Sequence, residues 1–340
     1  MEFKHTPVLL NEVIDNLNIN PNGIYVDCTL GGAGHSSEIL KKLNSGILIG
    51  FDKDIEAISA SKTRLEKFAK VLTFELEDLN ENVLTNTKPL VIIIHTDFKN
   101  FKSAMQKLNI SEIDGCLIDL GVSSHQIDSA ERGFSFRNDG ALDMRMDQTQ
   151  TLTAADIVNT YEEKELSRIF KFYGEEEFAH VIARNIVAER AKQPISTTLQ
   201  LNAIVENSLP KKVVFSRGGA AKKVFQALRI VVNSELDGLD TLLQDVVSYL
   251  KIGGIFEVIS FHSLEDRIAK QTFKALATDC ICPPGLPICV CGHKASIELV
   301  SHKPITASEQ ELKQNSRSAS AKLRVVKKIR NCWFLFNNKI

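Results

Sequence analysis

Short apolar runs alternate with amphipathic stretches along most of this chain, the pattern of βα units built around a parallel sheet. Ile24–Cys28 predicts a strand and Gly34–Leu43 a helix, and Ile47–Asp52 followed by Asp54–Ala69 repeats the unit. Val91–Thr96 predicts a third strand, with a helix over Phe98–Leu108, and Gly115–Leu120 a fourth. Gly254–Phe261 predicts a further buried strand after the turn Lys251-Ile252-Gly253-Gly254. Between these last two strands lie about 130 residues, far more than one crossover needs. Thr153–Asn207 shows helical spacing there, as in Ile182, Ile186 and Val187, and reads as a helical insertion into an α/β domain. Ala220–Val232 and Glu235–Leu250 predict helices that return the chain to the sheet, and Ser296–Val300 and Lys322–Ile329 alternate as two closing strands.

Composition narrows the class. The 340 residues are 44% hydrophobic and 24% charged, which fits a folded globular protein rather than a disordered one. No apolar run reaches the roughly 18 residues that span a bilayer, so no membrane partner is expected. The start, MEFKHTPVLLNEV, is too polar for a secretory signal, and seven cysteines fit a reducing cytoplasm better than a disulfide framework. The net charge of −1 hides two basic blocks, each at +7: Arg184–Arg229 and Gly292–Ile340. Such blocks suit an anionic partner that meets part of the surface, and equally suit a solvated basic face.

The first strand ends in an acid and runs into glycines: Asp27-Cys28-Thr29-Leu30-Gly31-Gly32-Ala33-Gly34-His35. A glycine turn between strand and helix lets backbone approach a ligand, and the helix N-terminus favours negative charge. The spacing is not G-x-G-x-x-G, and a G-x-x-x-x-G-K-[ST] phosphate loop is absent from the sequence, which argues against a nicotinamide dinucleotide and an NTP. Asp52 ends the second strand, 18 positions after Gly34, where a carboxylate can take the two hydroxyls of a ribose. It can also be a structural acid leading into the next helix, with Asp54 as cap. The third strand ends Thr96-Asp97-Phe98, an acid and an aromatic suited to adenine or, for Phe98, to the core. The fourth ends Asp119-Leu120-Gly121-Val122-Ser123-Ser124, placing another carboxylate where ligands bind α/β sheets.

Several motifs together resemble one enzyme family, the RsmH (MraW) group. They are His5-Thr6-Pro7-Val8-Leu9-Leu10, the glycine turn Asp27–His35, Asp119–Ser124, Glu131-Arg132-Gly133-Phe134-Ser135-Phe136, Leu142-Asp143-Met144-Arg145-Met146-Asp147 and Ser260-Phe261-His262-Ser263-Leu264-Glu265-Asp266-Arg267. The similarity runs from about His5 to about Arg330, and Lys70–Leu90 is longer than the family's usual connection. The resemblance implies an α/β, class I (Rossmann-like) methyltransferase sheet with a helical insertion domain. The expected boundaries are 1–135 and 214–340 for the methyltransferase domain and 136–213 for the insertion. It implies S-adenosylmethionine as cofactor and N4-methylation of a decoding-centre cytidine in small-subunit ribosomal RNA, hence a small-ribosomal-subunit partner and a cytoplasmic protein, monomer or homodimer. Carried over by position, Ala33, Gly34, His35, Asp52, Phe98, Asp119 and Gln126 are the expected cofactor contacts. The alternative is a noncatalytic RNA-binding assembly factor that retains the fold.

Methylating a cytosine amine requires alignment of nitrogen, methyl and sulfur, and an acceptor for the amine proton. Asp119, Ser123 and Ser124 are the candidate groups lining that amine, and Asp119 can alternatively bind the cofactor's ammonium. His262 is a further candidate at the end of a later strand, although Ser263-Leu264-Glu265-Asp266 also fits a helix-capping pattern. Asp143, Arg145 and Asp147 can close over the base or hold the insertion by ion pairs. No metal site is assigned: Cys280, Cys282, Cys289 and Cys291 are taken as a reduced loop, with a tetrahedral zinc site as the alternative.

Overall fold

The computed structural model describes residues 7–84, 87–217, 219–280, 282–283, 285–286 and 288–331. His5, Thr6 and the tail bearing Trp333, Phe334 and Phe336 lie outside the described residues. The strands are β1 Ile24–Asp27, β2 Ile47–Asp52, β3 Lys70–Glu75, β4 Leu90–His95, β5 Ile113–Asp119, β6 Leu250–Ser260, β7 Ile297–Leu299 and β8 Lys322–Lys328. The first helices are α1 Leu10–Asn16, α2 Gly34–Lys41, α3 Ile55–Leu65 and α4 Phe101–Lys107. Then come α5 Ser124–Asp128, α6 Ala154–Thr160, α7 Glu163–Tyr173, α8 Ala179–Arg190, α9 Thr198–Ser208, α10 Lys211–Arg217 and α11 Lys222–Asn233. The last are α12 Leu239–Tyr249, α13 Ser263–Leu276 and α14 Glu309–Gln314. Among the described residues, no helix is long and apolar enough to cross a membrane.

The chain divides into two compact units, one made of Met1–Gly121 with Gly238–Ile340 and the other of Val122–Asp237. The first holds an eight-stranded sheet in the order β3-β4-β2-β1-β5-β6-β8-β7. β1 to β6 run parallel, and β8 is antiparallel to both β6 and β7. Alternate residues feed two cores, as the pleat requires. Val26, Ile49, Phe51, Ile92 and Ile94 pack with Phe101, Met105, Leu243, Val246 and Phe273. Their neighbours Tyr25, Leu48, Val91, Ile93 and Leu117 pack with Val13, Ile39, Leu40 and Ile58. Burial on both faces explains why these parallel strands read as unbroken apolar runs.

One strand has no such run. β3, KVLTFE, is an edge strand with a mixed pattern of exposed and half-buried residues, so it lacks the apolar signature of the inner strands. It accounts for the long connection after α3. β6 also starts at Leu250, four residues before the expected Gly254.

The second unit is all helical, α5 to α11 around Leu142, Met144, Ile157, Leu166, Phe170, Ile182, Ile186, Leu201 and Leu228. Its extent, Val122–Asp237, differs from the expected 136–213. α11 belongs to it because Val224, Phe225 and Leu228 are buried in this helical core, where α11 packs on α7. Only α12 then leads back into the sheet.

Candidate active site

At the carboxyl end of β1, Asp27 braces the glycine turn. Its carboxylate accepts from the Thr29 N–H (3.1 Å) and from the Ser36 hydroxyl on α2 (2.7 Å). Burial raises its pKa, against the opposing pull of those two hydrogen bonds. Gly31 (φ +49°) takes the left-handed conformation that its missing side chain permits. At Gly34 a Cβ would collide with the Pro7 ring, so only glycine fits where the N-terminal segment crosses the turn. Ala33 precedes α2, and no side chain caps that helix start. The amides of its first turn can therefore serve an anionic group. His35 is buried with Nε2 2.9 Å from the Val8 carbonyl, so its side chain is a strut of the turn, and a ligand would meet its backbone.

Asp52 ends β2, and its carboxylate bridges two segments. Oδ2 accepts from the Gly31 N–H (2.7 Å) and Oδ1 from the Asp54 N–H (2.9 Å). Asp54, not Asp52, caps α3, accepting from Glu56 N–H (3.1 Å). Each Asp52 oxygen keeps acceptor capacity for a second donor. Burial, opposed by the two amides and reinforced by Asp54 and Asp27, pushes its pKa up to about 6. A ligand hydroxyl pair bound by the ionised carboxylate would thus compete with a proton. Affinity for such a ligand should fall about tenfold from about pH 8 to about pH 5, and Asp52→Asn should flatten the profile. Calorimetric titration at the two pH values checks this; a flat wild-type profile would exclude Asp52 from the contact.

At the end of β4, Asp97 accepts from the Lys99 N–H (2.9 Å) and lies 3.3 Å from Lys53 Nζ. Phe98 packs half-buried against the sheet core. Asp119 ends β5, its N–H donating to the Thr29 hydroxyl (2.6 Å), which locks this strand end to the glycine turn. Its Oδ2 lies 3.7 Å from His35 Nδ1, while Oδ1 is buried without a hydrogen-bond partner. Burial, with Asp27 and Glu265 nearby, holds this carboxyl well above the ordinary carboxylate range. A buried, unsatisfied acceptor of this kind is costly and calls for a functional account.

Other expected site residues have structural partners. Ser123 and Gln126, in the helical unit, form a reciprocal capping box on α5: Gln126 Oε1 accepts from Ser123 N–H (3.0 Å) and Ser123 Oγ from Gln126 N–H (3.2 Å). The Ser124 side chain lies outside the described residues. His262 caps α13, Nδ1 accepting from Glu265 N–H (3.5 Å) with Nε2 3.0 Å from Glu265 Oε1. Asp266 grips Arg324 (2.7 Å) and Lys322 (3.1 Å) on β8, and despite burial these cations lower its pKa. In the helical unit, Arg145 forks onto Asp143 (2.9 and 2.7 Å) and donates to the Gln148 and Gln150 carbonyls. That ion pair folds its own loop. Asp147 likewise accepts from Thr149. Arg132 donates to the Arg145 and Met146 carbonyls, and Asn233 holds Met144 and Met146. Asp27 has a bracing role that its sequence motif did not assign, although its place at the end of the first strand was a usable signal.

The strand order, the antiparallel β8 between β6 and β7, and the acids ending β1, β2 and β5 define a class I (Rossmann-like) methyltransferase. The chain belongs to the MraW methylase family, whose model matches residues 2–329. It is 49% identical over 330 residues to ribosomal RNA small subunit methyltransferase H of Clostridioides difficile (strain 630), covering 97% of this chain and all of that protein. It is 50% identical over 331 residues to the protein of that name from Clostridium botulinum (strain Loch Maree / Type A3), covering 97% of this chain and all of the relative. A solved rRNA methylase from Streptococcus thermophilus aligns over 97% of this chain and all of its own at TM-score 0.37 and 9% identity. At that distance the fold assignment rests on the sheet itself. The cofactor is S-adenosylmethionine, and the residues fit it: an acid with spare acceptor capacity suits its diol, and uncapped helix amides suit its carboxylate.

Proposed function

We propose that this chain transfers a methyl group from S-adenosylmethionine to the exocyclic N4 of a decoding-centre cytidine in small-subunit ribosomal RNA. The observation that carries the reading is the buried, unpartnered Oδ1 of Asp119 at the end of β5, tied to the glycine turn through Thr29. The cofactor, when bound, supplies an electrophilic methyl on a sulfonium. Asp52 would accept the ribose hydroxyls, the amides of Gly34 and His35 would hold the carboxylate, and Phe98 would lie against adenine; the expected Ala33 amide is instead engaged by the Leu30 carbonyl (2.7 Å). Asp119 accepts an N–H of the target amine, turning the nitrogen lone pair outward, and receives the proton as the bond forms.

The test is methyl transfer from labelled cofactor to small subunits, with nucleoside analysis of the product. N4-methylcytidine is the expected product. Label on another nucleoside would overturn the assignment, and subunit binding without transfer would make the chain an assembly factor.

The anionic substrate is supported by the first basic block. Lys211 and Lys212 on α10 and Lys222 on α11 are exposed, and Phe215 on α10 is 85% exposed. Lys223 instead donates to the Glu175 carbonyl (2.7 Å), and the Arg217 side chain lies outside the described residues. Neutralising Lys211, Lys212 and Lys222 should flatten the salt dependence of RNA binding, its slope falling by about 0.7–0.9 for every phosphate no longer paired. Cofactor affinity should not change. Equal salt slopes in equally folded proteins would move the RNA surface elsewhere, to the block after Gly292.

A further inference from the structure

We infer that Cys280, Cys282, Cys289 and Cys291 bind one zinc ion as four thiolates, closing the loop between α13 and β7. The four sulfurs lie within 4.8 Å of one another. Cys280 Sγ is 3.5 Å from Cys289 Sγ and 3.8 Å from Cys291 Sγ, and the latter two are 3.5 Å apart. In a tetrahedral site with Zn–S near 2.3 Å, neighbouring sulfurs sit about 3.8 Å apart. A disulfide requires about 2.05 Å, far shorter than these separations. The sulfurs are thus gathered at the spacing of a shared cation and too far apart for bonds to each other.

Two further observations point to a cation. The Val290 N–H donates to Cys282 Sγ (3.4 Å), the amide-to-sulfur bond that steadies a thiolate ligand. Among its described residues the loop also has no core of its own. Leu286 is exposed, as are Ile288 (76%) and Val290 (77%), so apolar burial cannot fix the loop. Among the described residues, ordinary bonds close its base: Ala295 N–H donates to Asp279 Oδ1 (3.1 Å), and Ser296 N–H to the Leu276 carbonyl (2.9 Å). Four thiols converge where a small loop without a core needs a staple. Zinc is favoured because an all-thiolate tetrahedral site suits a soft divalent ion, and zinc outbinds ferrous iron in such sites. Each thiol that ligates releases its proton, so binding acidifies the medium.

The test uses the full chain, purified reduced and without chelator. Elemental analysis should find about one zinc per chain, released as mercurial reagent titrates the thiols. Zinc-stripped protein should take up Co(II) with the absorption of tetrahedral thiolate coordination, and should unfold at a lower temperature than the zinc form. Cys282→Ser/Cys289→Ser should lose the metal, while Cys116→Ser, a buried thiol in the sheet, should keep it. If the double variant fails to fold, the Co(II) titration of wild type decides alone. Substoichiometric metal with no cobalt spectrum would overturn the proposal, as would a chain mass showing two disulfides, or a coloured iron protein.

Discussion

Replacing Asp119 with Asn should lower methyl transfer by about 10²–10⁴-fold, the range that a positioned proton acceptor contributes, while the folded protein becomes more stable. Both halves follow from one environment. Asp119 is held well above its ordinary value of 3.8 by burial and by Asp27 and Glu265. Below the unfolded value the carboxyl is protonated in both states and costs nothing. As pH rises towards the folded value, the unfolded chain ionises first, and stability is lost. Asparagine removes that loss, so thermal unfolding should shift upward near neutral pH and stay unchanged in acid. Single-turnover transfer separates the role further: a fall in the transfer step at unchanged cofactor affinity places Asp119 on the amine. A fall in affinity alone would give it to the cofactor's ammonium, and undiminished transfer would remove it from the chemistry.

Asp52→Ala should cost cofactor binding about 10²–10⁴-fold. Two hydrogen bonds to a charged acceptor disappear, each worth about 1.5–3 kcal/mol. The same carboxylate also accepts the amides of Gly31 and Asp54, so alanine leaves those donors without it and loosens the turn. Asp52→Asn keeps a side-chain oxygen in place and should fall between wild type and alanine. Calorimetry with a thermal-unfolding control reads the effect. Unchanged affinity in the folded alanine variant would take the ribose away from β2.

The inner sheet was legible because parallel strands buried on both faces leave runs such as Val91–Ile94 that no other element explains. β3 was not, because an edge strand is half solvated and its Thr73 and terminal Lys70 and Glu75 dilute the signal. The acids at strand ends could be named from their positions, yet not their partners: whether Asp52 or Asp54 caps α3 depends on which carboxylate meets the Glu56 amide in space. His262 shows the same limit, since its motif encodes a helix cap with Glu265 as firmly as it encodes a site. The extent of the helical unit differed at α11 because an amphipathic helix announces that it has a partner and not which core supplies it. The four cysteines could be named as an alternative zinc set, yet their convergence could not be read. Cys280 and Cys289 stand nine positions apart, and only a folded loop brings them together.

The place of β8 in the sheet has a consequence for biosynthesis. The strand made last among the eight lies inside the sheet, between β6 and β7, and Asp266 of α13 waits on its Arg324 and Lys322. On a translating ribosome β6 follows β5 only after the whole helical unit, and then stands with a bare outer edge until residues 322–328 arrive. A chain arrested before Lys322 would keep its cofactor-side acids and helical unit yet expose an unpaired, apolar strand edge, a template for aggregation. Release of a stable product therefore waits on the final few codons of the sheet, and C-terminal nicking within β8 would undo what translation completed last.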